Sequence, residues 1–156
     1  MEFQVRSAIP ADAEAMLALM PRLASFDVPE SRNPEHLWMH DAALLRRWVD
    51  GAADECLVHV AVDPAKRLLG FTLVSLRPEL LSHEPSAHLE AIAVDKTAEG
   101  HGVGRALLET AEAAARAKGA QTITLHVFAR NTRAREFYER RGYDGELLRY
   151  IKPLGE

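Results

Sequence analysis

Cysteine is nearly absent from this chain: Cys56 stands alone among 156 residues. One thiol closes no internal disulfide, and the apolar run around it (Leu57, Val58, Val60) reads as packing, not nucleophilic chemistry. No apolar stretch is long enough to span a bilayer, which excludes a helical membrane protein. The opening residues Met1, Glu2, Phe3 and Gln4 lack the charged and apolar regions of a secretion signal. Basic excess is missing as well. The formal charge of −4 gives no electrostatic footprint for nucleic acid, though it leaves room for an acidic pocket facing a cationic substrate. The histidines and Cys56 show no ligand spacing, so no metal is expected. Internal repeats, low-complexity tracts and linkers are lacking, which predicts a single domain over residues 1–156. The expectation is a cytoplasmic globular protein with no nucleic-acid and no membrane partner.

What is present is a mixed α/β pattern. Phe3 and Val5 alternate with polar residues as a half-buried strand does. Pro10 and Asp12 open a helix with Asp12 as its expected N-cap, and Pro21 ends or kinks it. A loop over 25–34 leads to a second helix, with Asn33 and Pro34 at its start and Gly51 as its stop. Strands over 56–62 and 68–76 flank the turn at Asp63, Pro64, Ala65 and Lys66, which makes a hairpin. A loop over 77–86 precedes a strand at 89–94. Strands at 122–128 and 147–151 bracket a last helix over 132–141, ended by Gly142. The fold class is α/β, a mixed central sheet flanked by helices in the order β-α-α-β-β-β-α-β-α-β.

The most informative stretch runs from the strand at 89–94 into Gly100, Gly102 and Gly104, and then into an Ala/Leu-rich amphipathic segment that Gly119 stops. Strand, glycine-rich turn and helix start together offer unpaired backbone N–H groups and a positive partial charge. Such a turn suits a phosphate or pyrophosphate; it is also what a simple tight turn requires. Glu90 is an acid in an otherwise apolar strand, where a charge is costly unless used or paired.

Taken in order, these pieces resemble the GNAT superfamily of acyl-CoA-dependent N-acyltransferases. Leu89, Glu90, Ala91, Ile92, Ala93, Val94 and Asp95, followed by Gly100, Gly102 and Gly104, are similar to its acyl-CoA-binding strand, loop and helix. Leu125, Val127, Asn131, Ala134, Phe137, Tyr138, Gly142 and Tyr143 resemble its second signature, and Val5, Arg6, Ala8 and Asp12 its opening strand and helix. One position departs from the pattern: Glu99 stands where the family carries Arg or Gln. A carboxylate beside a pyrophosphate is repulsive. The backbone N–H is unaffected, the side chain can turn to screening solvent, and His101 and Arg105 are near enough in sequence to offset the charge.

The resemblance implies acetyl transfer from acetyl-CoA to a primary amine by direct attack, in a single GNAT domain. It places the pyrophosphate on Glu99, Gly100, His101, Gly102, Val103, Gly104 and Arg105. The pantetheine arm would lie along Ile92, Ala93 and Val94 like an added strand, beside a β-bulge. The N–H near Ile92 would polarise the thioester oxygen. Asn131 would bind the arm or the tetrahedral centre, and Tyr138 would contact the cofactor and protonate the leaving thiolate. Each has a plainer reading: Ile92 and Val94 as core, Asn131 as a helix N-cap, Tyr138 as a core aromatic.

An alkylammonium has a pKa of roughly 10 and cannot attack while protonated. Glu90 is the expected base, with His88 and His126 as alternatives and a solvent-facing glutamate as the bland one. Asp27, Glu30, Glu35, His36, Trp38, His40 and Asp41 offer charge and cation–π contact to a cationic amine, or are a solvated face. Polyamines, aminoglycosides, amino-acid-like metabolites and the amines of proteins or peptides all remain open as acceptors. The resemblance allows a homodimer, and nothing in the sequence fixes the number of chains. The rival is a catalytically inactive acyl-CoA-binding sensor, against which the presence of both Glu90 and Tyr138 argues. A dinucleotide-binding oxidoreductase would need its glycines in a βαβ unit with a carboxylate after the next strand, which is missing here.

Overall fold

The computed structural model describes residues 1–155. Spatial proximity groups the chain into two units, Met1–His126 and Val127–Glu156, which are taken in turn.

The first unit is built on a five-stranded sheet in sequential order: β1 (Gln4–Ser7), β2 (Cys56–Val62), β3 (Leu68–Pro78), β4 (Pro85–Val94) and β5 (Thr122–Leu125). The first four strands pair antiparallel, and β5 joins β4 in parallel. That parallel step needs a crossover, supplied by the helix α3 (Val103–Ala117). β3 and β4 are longer than expected and absorb much of the segment read as a loop. Pro78 and Pro85 face each other at the end of their ladder, a strand-end position where a missing N–H does little harm. β5 is shorter than expected and stops at Leu125.

Helices cover both faces. On one face α1 (Ala13–Leu19) and α2 (Met39–Val49) bring Met16, Leu44 and Leu45 against Val58, Val60, Phe71, Leu73, Ala91 and Ala93. On the other, Val103 and Leu107 of α3 meet Ala61 and Leu69, with Val5, Ile92 and Val94 half-buried beside them. The buried residues of α3 (Val103, Leu107, Leu108, Ala111, Ala115) recur at helical spacing, so one apolar stripe faces the sheet. α3 approaches closely because β3 carries Gly70. A Cβ there would lie 2.8 Å from the Ala93 carbonyl oxygen and 3.0 Å from Leu107 Cδ1.

Pro21 ends α1 as expected; a 3₁₀ turn, Met20–Ala24, follows with the proline in its first turn. Asn33 also behaves as read, its side-chain oxygen accepting from Glu35 N–H at 3.0 Å. It caps a 3₁₀ turn, Pro34–Leu37, one residue before α2 proper. Asp12 does not cap α1. Its carboxylate turns back to accept from Ile9 N–H at 2.8 Å and pairs with Arg6 at 2.8 Å, because the chain opens with a 3₁₀ turn, Pro10–Asp12, instead of directly with the helix.

The second unit holds α4 (Thr132–Glu139). Arg141 stacks its guanidinium 3.9 Å above the Phe137 ring and donates to the Phe137 carbonyl at 2.8 Å. The strand expected at 147–151 is not formed. Leu147, Leu148, Tyr150 and Ile151 are exposed and pair with no strand. An alternating apolar pattern becomes a strand only when a ladder receives it.

Candidate active site

The register of β4 changes at Glu90. Leu73 pairs with Ala91 while Val74 pairs with Leu89, so Glu90 is the extra residue of a β-bulge. A bulge leaves its extra residue unpaired and re-aims its side chain. On the opposite side, the ladder to β5 covers Ser86, Ala87, His88 and Leu89 and stops there. The stretch 90–94 therefore has β3 beside it on one edge and no partner strand in β5 on the other.

The Glu90 side chain is 9% exposed, and the Ser75 hydroxyl donates to its Oε2. Arg77 Nη2 stands 4.0 Å from Oε2, and His40 Nε2 stands 3.9 Å from Oε1. Asp41, in the first turn of α2, completes the group. One donor atom each from His40, Asp41 and Glu90 lie within 4.8 Å of one another. Burial, reinforced by the charge of Glu90, pushes the Asp41 carboxyl up to about 7.

His88 lies two residues before Glu90, with Nδ1 2.7 Å from Thr124 Oγ1 and its ring centroid 4.8 Å from that of His126. Burial first, then the Arg77 charge, lowers it to about 4. A neutral imidazole of that basicity is a poor acceptor for an alkylammonium proton.

The glycine-rich turn is built as a cradle. Gly100 and Gly102 sit at φ 77° and 82°, and Gly102 is the N-cap of α3. A Cβ on Gly102 would meet nothing within 4 Å, so what demands glycine here is the left-handed backbone and not crowding. Gly104 lies inside the first turn of α3. The N–H groups of Val103, Gly104 and Arg105 belong to that turn and have no carbonyl partner among the described residues. A pyrophosphate fits such a terminus, and an amide-bearing arm fits the β4 edge beyond Leu89.

Glu99 is handled by a residue the sequence did not point to. Arg22, in the 3₁₀ turn after α1, pairs with the Glu99 carboxylate through Nη2 and donates from Nε to the Val94 carbonyl at 3.1 Å. Arg105 is not the counter-charge; its Nε bonds Glu109 Oε1 at 2.9 Å, one turn along α3. His101 is exposed. Ile92 and Val94 are half-buried on the α3 face, while Ala93 is buried on the other. Arg22 and Ser75 carried no local signal, since their partners lie 77 and 15 residues away.

In the second unit, Asn131 caps α4, its Oδ1 accepting from Ala134 N–H at 3.2 Å. Tyr138 packs edge-on against Phe137 and Tyr143, at centroid distances of 5.4 and 5.7 Å. Burial pushes its phenol up to about 12, so it is protonated throughout the neutral range.

Comparison with known proteins bears on the family and the fold. The model of the Acetyltransferase (GNAT) family matches residues 18–143. A mycothiol acetyltransferase of Jonesia denitrificans is 29% identical over 148 residues, covering 94% of this chain and 45% of that protein. One from an Arthrobacter species is 31% identical over 140 residues, covering 89% of this chain and 42% of that protein. The chain thus spans less than half the length of these relatives. A putative acetyl transferase from Pyrococcus furiosus superposes with a TM-score of 0.71 at 26% identity, covering 98% of this chain and all of that one. Glucosamine-6-phosphate N-acetyltransferase from Arabidopsis thaliana shares the fold at a TM-score of 0.69 and 16% identity, over 99% of this chain and all of that one. No helix among the described residues is long and apolar enough to cross a membrane. With its bulged strand, its glycine cradle and a family match over most of its length, this chain belongs to the GNAT acetyltransferase family.

Proposed function

We propose that the chain moves an acetyl group from acetyl-CoA to the amine of a small-molecule acceptor, with Glu90 as the base. The observation that carries this reading is the bulge, which sets a largely buried carboxylate beside the strand edge that β5 leaves unpaired. The relatives are mycothiol acetyltransferases by name, which favours a small molecule over a protein as acceptor.

The chemistry assigns each group a task. Acetyl-CoA supplies the acetyl group and a thiolate leaving group. Gly100, Gly102, Gly104 and the N–H groups opening α3 hold its pyrophosphate, and Ile92, Ala93 and Val94 offer backbone to its arm. The Ser75 hydroxyl fixes Oε2 of Glu90, which leaves Oε1 to receive a proton from the amine. The N–H near Ile92 polarises the thioester oxygen. Tyr138 carries the proton offered to the departing thiolate, and Asn131, with Oδ1 engaged in capping, retains its amide N–H groups for the cofactor.

Thiol release from acetyl-CoA with a panel of amines tests the proposal. Glu90→Gln is expected to lower kcat by roughly 10²-fold, the usual worth of a positioned base, while calorimetric acetyl-CoA binding holds. Tyr138→Phe should likewise slow turnover more than it weakens binding. Cofactor binding without turnover on any amine would favour the sensor reading. No binding at millimolar acetyl-CoA would remove every catalytic assignment.

A further inference from the structure

The acetyl-transfer reading gives Asp41 nothing to do, yet its placement is costly. It is 7% exposed at the start of α2, and its carboxylate has no hydrogen bond among the described residues; the charge that reaches it is that of Glu90, of the same sign. Buried polar groups are normally paired, and a carboxylate left without a partner is unfavourable. The two carboxylates come from different elements, α2 and β4, so their meeting is a product of the fold and not of a local run of acids. The basic side chains nearby stand at the periphery of the pair. His40 is 3.9 Å from Glu90 and 76% exposed, and Arg77 is 4.0 Å from it and 50% exposed. His88 and the Cys56 thiol are the other titratable groups that the Glu90 charge reaches, and both are neutral.

We propose that Asp41 and Glu90 together form a two-carboxylate seat for the acceptor's ammonium group, so that the acceptor enters as an alkylammonium cation. The inference rests on the acetyltransferase reading and adds a specificity residue to it. An alkylammonium presents three N–H donors, enough for one to each carboxylate with one left over. Its positive charge supplies what the pair lacks, in a site where burial strengthens the attraction. One N–H proton then passes to a carboxylate oxygen. The ammonium becomes a neutral amine with a free lone pair, and the two carboxylates keep one proton and one negative charge between them. A neutral arylamine brings no charge to the pair, so the seat discriminates against it. Asp41 holds and orients; Glu90 remains the base.

The test uses the full chain, with benzylamine and putrescine as alkylammonium probes and 4-methoxyaniline as the neutral amine. Asp41→Asn keeps the shape and removes the charge, and Asp41→Glu keeps the charge. The ratio of alkylamine to arylamine kcat/KM is expected to fall about tenfold or more in Asp41→Asn, through KM more than kcat, and to recover in part in Asp41→Glu. An unchanged ratio overturns the seat while leaving acetyl transfer standing. Ligand-observed NMR reads probe binding without turnover. Binding that is weakened in Asp41→Asn while no amine is acetylated keeps the seat and removes the reaction. Binding undiminished in Asp41→Asn, or absent from the wild type at millimolar probe, overturns the seat. If Asp41→Asn does not fold, Asp41→Ser takes its place in both measurements.

Discussion

Asp41 and His88 pull the stability of this protein in opposite directions as pH changes. The Asp41 carboxyl is raised to about 7 in the folded chain from a reference near 3.8. The folded state therefore holds its proton more tightly than the unfolded one. The cost of its charge is absent below the unfolded value, grows through the window between, and is full above pH 7. At 1.36 kcal/mol per unit, the upper limit is about 4 kcal/mol. Asp41→Asn should accordingly stabilise the protein at pH 8 and leave it nearly unchanged at pH 4, as measured by urea unfolding. His88 is lowered from 6.5 to about 4, so its neutral form is the one the fold accepts. The stability that this provides is full above the unfolded value and is lost as pH falls from 6.5 towards 4. His88→Gln should flatten the acid limb of the same unfolding curve. Glu90 was legible in the sequence because an acid interrupts an apolar strand. Asp41 was one of seven acidic, histidine and aromatic residues that read equally well as a solvated face. What separates it is burial, which follows from where α2 packs and which no local pattern encodes.

At the scale of elements, the strand–glycine–helix unit could be read directly, since turn chemistry and helical spacing are local properties. The bulge entered only through the family resemblance, because no local pattern shows it: it is a relation between β3 and β4 and appears only when their registers are compared. Nor does a local pattern show the ion pair of Arg22 with Glu99, which joins a turn after α1 to the loop before α3. Arg22→Ala should remove the Arg22 counter-charge from Glu99 and weaken acetyl-CoA binding. Glu99→Gln in the same chain should restore much of it. A double-mutant cycle on calorimetric affinities should give a coupling on the order of 1 kcal/mol, within the range for partly buried pairs in contact. Additive losses would mean that the pair does not shape the loop. The strand expected at 147–151 failed for the complementary reason. Its apolar alternation is a local property, but a ladder partner is not.

Across the molecule, the two halves of the proposed cofactor cradle meet over one small residue. Gly70 pairs with Val94 at the end of β4 and lies directly beneath Leu107 of α3. The nearest obstacle to a larger side chain there is backbone, the Ala93 carbonyl, which cannot rotate aside. Gly70→Ala should cost about 1–3 kcal/mol in denaturant unfolding, as overpacking does. It should also reduce acetyl-CoA affinity, because strand and helix shift together. Loss of stability with full affinity would show that they do not. The succession of strands and helices followed from the sequence, and the structure adds that each of the five strands lies beside its neighbour in the chain. The site did not follow so fully, because it is assembled across those strands and the helices laid on them.

Main-chain N–H groups at Gly100 to Arg105 do not depend on which side chain precedes them. Position 99 is therefore open to a reversal of charge, provided that some neighbour answers it, and here Arg22 does. Over generations the partner and the sign can be exchanged as a pair. The left-handed turns at Gly100 and Gly102 allow no such exchange. Drift in this loop should thus leave its mark in coupled charges, while the shape of the cradle passes unaltered from one descendant to the next.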